Sequence, residues 1–249
     1  MKLPVCLTAL VAVFYSSALS APIVDDFNDN QDNGWTRYAP LGPASATFTL
    51  QNGTYRIQAA ATPNPAVGDG RAGGLRLGQE ETFSDFVVSA DVVAFDGALL
   101  QAFGSLARIT TPGAATTAGY GFVYDHESTE IIIVRIDGEV PTTIGTATDL
   151  TLNPADDYRF VFTGTGSDFV GQVYDLTNGA ALLGTVLATD AAYATGNTGL
   201  VSASLDNAHA ADATFDNFSA VPEPSATIAL LGLSGLAAGL TRRKAFRVP

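Results

Sequence analysis

Three acids stand close together in the stretch Asp125-His126-Glu127-Ser128-Thr129-Glu130. Two carboxylates held at a fixed separation across a cleft are what hydrolysis of a glycosidic bond requires. A second cluster, Asp25, Asp26, Asn28, Asp29, Asn30, Asp32 and Asn33, precedes the single tryptophan, Trp35. Oxygen ligands at that density suit a hard cation such as calcium. The EF-hand spacing fails, because the sixth residue counted from Asp26 is Gln31 and the twelfth is Arg37. The same residue types also build tight turns through their own side chains. His126 and His209 lie far apart, and the only cysteine, Cys6, sits near the N-terminus, so no zinc spacing exists. No serine carries a nucleophile elbow. Gly70-Arg71-Ala72-Gly73-Gly74 leads into no helical pattern, which excludes a phosphate cradle. No residue is therefore assigned a catalytic role.

The elements around these groups read as strands. Short runs rich in Val, Thr, Phe and Tyr alternate, broken by Gly, Asn, Asp and Pro. Ala44 to Leu50 and Thr54 to Ala59 form a hairpin around Asn52-Gly53. Phe86 to Ala94 is a strand, and Leu99 to Ile109 is a strand bent at Gly104. Gly119 to Asp125 and Glu130 to Ile136 flank the 126–129 bend, which puts the three acids at a polar turn. A turn does not hold two carboxylates rigidly. Tyr158 to Thr163 and Phe169 to Asp175 form another hairpin, and Leu182 to Ala188, Gly199 to Ser204 and Ala213 to Ala220 complete the series. Thr62 to Gly74 reads as the longest loop. About a dozen strands in some 200 residues predict an all-β fold, a two-sheet antiparallel β-sandwich of jelly-roll type. Tyr120, Phe122 and Tyr124 share one strand face and read as core. Trp35, beside a polar loop, and Tyr38 are the candidates for stacking on a sugar ring, with Trp35 expected at the surface.

Both ends carry address signals. Lys2, an apolar run from Leu3 to Tyr15 and small residues from Ser16 to Ala21 read as a secretory signal helix, cut after Ser20. At the other end stand Val221, Pro222, Glu223 and Pro224, then sixteen uncharged residues from Ser225 to Leu240, then Arg242, Arg243, Lys244 and Arg247. As a helix that run spans about 24 Å, close to a hydrocarbon core of about 30 Å. The basic end places the body outside the cytoplasm. Segments 1–20, 21–220 and 221–249 are thus signal, body and tail. The body keeps seven arginines and 24 acids, a net charge near −17. That excludes nucleic acid as a partner, since phosphate backbones require Lys and Arg.

The tail resembles the PEP-CTERM sorting signal of Gram-negative bacteria, carried by Val221-Pro222-Glu223-Pro224, the apolar run and Arg242-Arg243-Lys244. The resemblance implies an exosortase-type partner, transient anchoring in the inner membrane, and release to the cell surface or extracellular matrix. The body resembles the concanavalin A-like, laminin-G-like jelly roll. The residues that carry this are Asp25-Asp26-Phe27, Trp35, Gly119-Tyr120-Gly121-Phe122, Tyr158-Arg159-Phe160 and Phe215-Asp216-Asn217-Phe218. It implies that the first and last strands pair, and that a structural calcium could join Asp25 or Asp26 to Asp216. Laminarinase-type members carry Glu-x-Asp-x-x-Glu on one strand, whereas Asp125-x-Glu127-x-x-Glu130 exchanges the first two acids. The expectation is a non-enzymatic module that is glycan-binding, adhesive or structural, with polysaccharide as partner; the rival is a glycan hydrolase.

Overall fold

Runs of β-branched and aromatic residues between turn residues build fifteen strands among the described residues, some buried on one face and others, such as β7 and β8, on both. The computed structural model describes residues 21–39, 46–61, 70–78, 81–146, 149–206, 208 and 210–222. Residues 1–20, where the signal helix is expected, His209 and the tail from Glu223 onward fall outside them. The strands are β1 (Ile23–Asp25), β2 (Trp35–Tyr38), β3 (Ala46–Gln51), β4 (Thr54–Ala59), β5 (Arg71–Arg76), β6 (Phe86–Phe95), β7 (Gln101–Thr110) and β8 (Ala118–Asp125). They continue as β9 (Glu130–Asp137), β10 (Val140–Thr146), β11 (Tyr158–Thr165), β12 (Asp168–Asp175), β13 (Ala181–Thr189), β14 (Asn197–Ser204) and β15 (Ala211–Pro222).

They form two antiparallel sheets. One has the order β13-β12-β11-β6-β15-β4-β3, with β1 added to β15; the other has the order β10-β9-β8-β7-β14-β5-β2. The first and last strands pair as expected, with Ile23 opposite Ala220 and Asp25 opposite Phe218. The inner faces meet in an aromatic core. Phe122 lies 5.6 Å from Phe160 and Phe103 lies 6.1 Å from Phe160, and all three are fully buried. Each such ring contributes about 1.5–3 kcal/mol by leaving water. Tyr120, Phe122 and Tyr124 lie in this core.

Two expectations are corrected. Arg71 to Gly74 is not loop but the buried start of β5. Its glycines are there for close approach: a Cβ on Gly73 would fall 2.8 Å from the Leu200 carbonyl, and one on Gly74 2.8 Å from Tyr55 Cε1. Nor does Gly104 bend its strand, since the ladder runs straight through it to Val123. The irregularity comes later, between Ala107 and Thr110, where Arg108 takes φ 49°. Strands β2 and β10 are edge strands that alternation alone does not reveal.

One polar strap ties the sheets at their rim. Arg135 on β9 donates to Asp137 and to Asp190, each at 2.8 Å, and the Tyr120 hydroxyl donates to Asp190 at 2.7 Å. Burial alone would raise Asp190, but the Tyr120 hydroxyl, the Ala192 amide and Arg135 together hold it below its ordinary value.

Two measurements check this packing. On β12, a Cβ at Gly171 would press into the Phe122 ring. Gly171→Ala should therefore lose about 1–3 kcal/mol, seen as a lower urea midpoint with an unchanged m-value. Asp190 has a depressed folded-state pKa, so its stabilisation is present above the ordinary carboxylate range and lost as pH falls through the folded value. Asp190→Asn should be less stable than wild type at pH 7, and the gap should close below about pH 4. A gap that persists or widens in acid would contradict the assignment.

Candidate functional site

The outer faces of the two sheets differ. That of the eight-stranded sheet is polar across β4, β15, β6 and β11, with Arg56 paired to Asp212 and Arg159 bidentate to Asp91 at 2.7 and 2.8 Å, while its edge strand β13 exposes Leu183 and Leu187. That of the seven-stranded sheet is apolar. Leu106, Val123, Val134, Ile136 and Val201 are buried there and form a second small core, away from the one between the sheets. An outer sheet face stays dry only if something folds over it.

Here the sheet folds over itself. Glu139 sits in the turn between β9 and β10, at one edge; Arg71 and Tyr38 lie on β5 and β2, at the other. Five strand spacings, about 24 Å in a flat sheet, separate β10 from β5. Yet Arg71 Nη1 donates to Glu139 Oε2 at 2.8 Å and to the Glu139 carbonyl at 3.2 Å. The Tyr38 hydroxyl donates to Glu139 Oε1, and Thr117 Oγ1 donates to the Tyr38 oxygen at 2.9 Å. Twist and curl bring the two edges together across the outer face.

Glu139 is 1% exposed and has φ 75°, next to Gly138 at φ 58°. This is the paired left-handed geometry of a type I′ hairpin turn. A left-handed conformation costs a non-glycine residue about 1–2 kcal/mol, and the buried contacts of its side chain and amide offset that. The Glu139 amide donates to the Thr117 carbonyl at 2.9 Å. Loss of water pushes the Glu139 carboxyl up, to about 8, and the Arg71 guanidinium down, to about 10. Their mutual contact opposes both shifts.

Beneath this clamp lies a groove of about 210 Å³. Its floor is aliphatic: Leu106, Val123, Ile132, Val134, Ile136 and Val201. Its rim offers polar groups from Arg71, Asp125, Thr143 and Ser204. The floor presents C–H surface to a ligand, and the rim presents hydrogen-bonding groups, the division expected of a shallow small-molecule site.

The residues singled out in the sequence fall in different places. Tyr38 belongs to the clamp. Trp35 is not a surface platform: it is 8% exposed, edge-on to Phe218 at 4.8 Å, and its indole N–H donates to Asp25 Oδ2 at 2.7 Å. The neighbouring acids make an inward anchor for the ring rather than a rim for it. Asp25 Oδ1 accepts the Phe27 amide at 2.9 Å, so both oxygens of Asp25 are engaged. Asp26 is exposed and accepts the Asn28 amide at 3.2 Å. Asp216 stands opposite Asp91; burial, then the charges of Asp91, Asp26 and Asp157, raise its carboxyl. Asp26 and Asp216 are thus near enough to repel one another, while both oxygens of Asp25 are spent on the chain itself. Among the described residues no three His, Cys, Asp or Glu side chains are gathered to hold a metal.

Asp125, Glu127 and Glu130 lie at the hairpin bend, as expected. Asp125 Oδ1 accepts the amides of Glu127 and Ser128 at 2.9 and 3.0 Å and so shapes the turn. His126 Nδ1 lies 2.7 Å from the Leu99 carbonyl. The groove is not legible in the sequence, because its residues look like ordinary core. One signal was present: Ile131-Ile132-Ile133-Val134 is apolar without alternation, the mark of a strand covered on both faces.

Residues 220–244 match the PEP-CTERM protein-sorting motif. No curated protein matches the chain. Among solved structures, the sandwich is similar to the carbohydrate-binding module CBM66 from Bacillus subtilis, at TM-score 0.55 and 17% identity, covering 76% of this chain and 95% of that one. It is similar to the lectin UEA-II complexed with galactose, at TM-score 0.53 and 11% identity, covering 82% and 99%. It is also similar to the exoplasmic/lumenal domain of VIP36 in a form bound to Ca2+ and Man3GlcNAc, at TM-score 0.51 and 10% identity, covering 77% and 84%. At these identities the likeness is one of fold.

The clamp is open to a double-mutant cycle. Glu139→Gln leaves Arg71 buried without its counter-charge and should cost about 3–5 kcal/mol in chemical denaturation. Combined with Arg71→Met, the loss should be smaller than the sum of the two single losses. Strict additivity would show that the pair does not hold the edges together.

Proposed function

We propose that the protein is an exported, exosortase-processed, non-enzymatic module that binds neutral polysaccharide in the groove of the seven-stranded sheet. The observation that carries this reading is the groove itself, with its aliphatic floor and polar rim. A pyranose ring has the same two-sided character: C–H groups on its faces and hydroxyls around its edge. The reading is supported by proteins of similar fold, among them a carbohydrate-binding module and a lectin. The tail supports export, transient anchoring in the inner membrane and delivery to the surface or matrix.

The charge pattern narrows the ligand. All seven arginines of the body are in ion pairs: Arg37 with Asp32, Arg56 with Asp212, Arg71 with Glu139, Arg76 with Glu81, Arg108 with Asp85, Arg135 with Asp137 and Asp190, and Arg159 with Asp91. No lysine lies among the described residues. A sulfated or uronic-acid polymer would meet a strongly acidic surface whose cations are already engaged. A neutral glycan meets no such repulsion. Hydrolysis is disfavoured because the groove lining holds one carboxylate, Asp125, and that one is committed to its turn.

Residues 21–222 should bind neutral glycans on an array and show no preference for anionic ones, with and without a chelator. Val201→Phe, which fills the groove floor, should weaken binding at least about tenfold, a shift of about 1.4 kcal/mol, while leaving the fold intact by circular dichroism. A blank array, a preference for anionic glycans, or full binding by Val201→Phe would sink the proposal.

A further inference from the structure

The last strand does not stop short of the sorting motif. Strand β15 runs to Pro222 and the matched stretch begins at Ala220, so Ala220, Val221 and Pro222 belong to both. On one side β6 holds them, with Ala220 opposite Val88, Val221 opposite Val87 and Pro222 opposite Phe86. On the other side β1 places Val24 opposite Ser219 and Ile23 opposite Ala220. Ser219 and Ala220 are thus paired on both edges. Ala220, Val88 and Phe86 are fully buried, and Ile23 is nearly so.

Glu223 is the next residue in the sequence, and the uncharged run begins at Ser225. From Ala220 to Glu223 the chain reaches about 10 Å at most. An enzyme that cuts a peptide takes it as an extended segment on both sides of the bond. With β1 holding Ser219 and Ala220 and β6 holding the chain through Pro222, the residues just before Glu223 are not available to such a cleft while the sheet is intact. We propose that the end of β15 gates processing: Ser219–Pro222 must peel away from β1 and β6 before the sorting enzyme can take Pro222-Glu223-Pro224. The N-terminal strand β1 thereby sets the rate at which the C-terminal tail is removed. This inference rests on the sorting reading of the tail.

The test follows loss of the tail from the full-length precursor by pulse–chase in a bacterium that carries an exosortase. One variant inserts about ten Gly/Ser residues between Ala220 and Val221, which leaves the motif intact and gives it about 18 Å of reach. A second, Ile23→Cys with Ala220→Cys, staples β1 to β15; directly opposed positions are within disulfide range, and the mature body has no other cysteine. The insertion should speed processing about tenfold, the factor that one or two net hydrogen bonds represent. The oxidised staple should slow it by a similar factor, and reductant should restore it, with each single-cysteine variant behaving as wild type. Equal rates for wild type, insertion and staple would overturn the gate. Tail loss unaffected by Glu223→Ala would instead overturn the sorting reading, and the gate with it.

Discussion

The ion pair between Arg71 and Glu139, at 2.8 Å, joins side chains from opposite sides of the seven-stranded sheet, and Arg71 also lines the groove. Removing water from both charges is costly, and only close pairing with further hydrogen bonds repays that cost. The Tyr38 hydroxyl and the Glu139 carbonyl supply those bonds. The left-handed backbone at Glu139 follows from the same requirement, since the turn must aim its carboxylate back across the sheet. With the edges joined, the outer face can be lined by Leu106, Val134 and Val201, which an open sheet would expose.

The same scarcity of cations shapes the rest of the molecule. Seven arginines serve a body with 24 acids, and several join separate elements. Arg159 bridges β11 to β6, Arg56 bridges β4 to β15, and Arg135 bridges β9 to the segment after β13. What remains at the surface is excess negative charge, which keeps an exported protein soluble and repels anionic polymers. The groove is where uncharged surface is concave.

The fold was legible because alternation reports one buried face, as on β4, β11, β12 and most of β15. Phe86, Val88, Ala90 and Val92 on β6 announce themselves in this way. The pairing of first and last strands followed from a resemblance rather than from any residue pattern. Strand β5 was not legible: Arg71-Ala72-Gly73-Gly74 has the composition of a loop, and the close approach of Leu200 and Tyr55 that requires its glycines is a tertiary fact. Trp35 misled for a related reason. A polar loop before an aromatic residue suggests exposure, but Asp25 turns inward to accept the indole N–H. The clamp lay beyond sequence reasoning, because Tyr38, Arg71, Thr117 and Glu139 meet only through the curl of the sheet. Tyr38 was selected as a sugar-stacking residue and lies beside the groove in another role.

The central claim is that ligand enters the groove of the seven-stranded sheet. Backbone amide chemical-shift mapping of labelled residues 21–222, titrated with a neutral oligosaccharide, tests it most directly. The account predicts perturbations at Leu106, Val123, Val134 and Val201, contiguous across β7, β8, β9 and β14. Perturbations confined to the 126–129 hairpin tip, or to the polar outer face around Arg56 and Arg159, would contradict it.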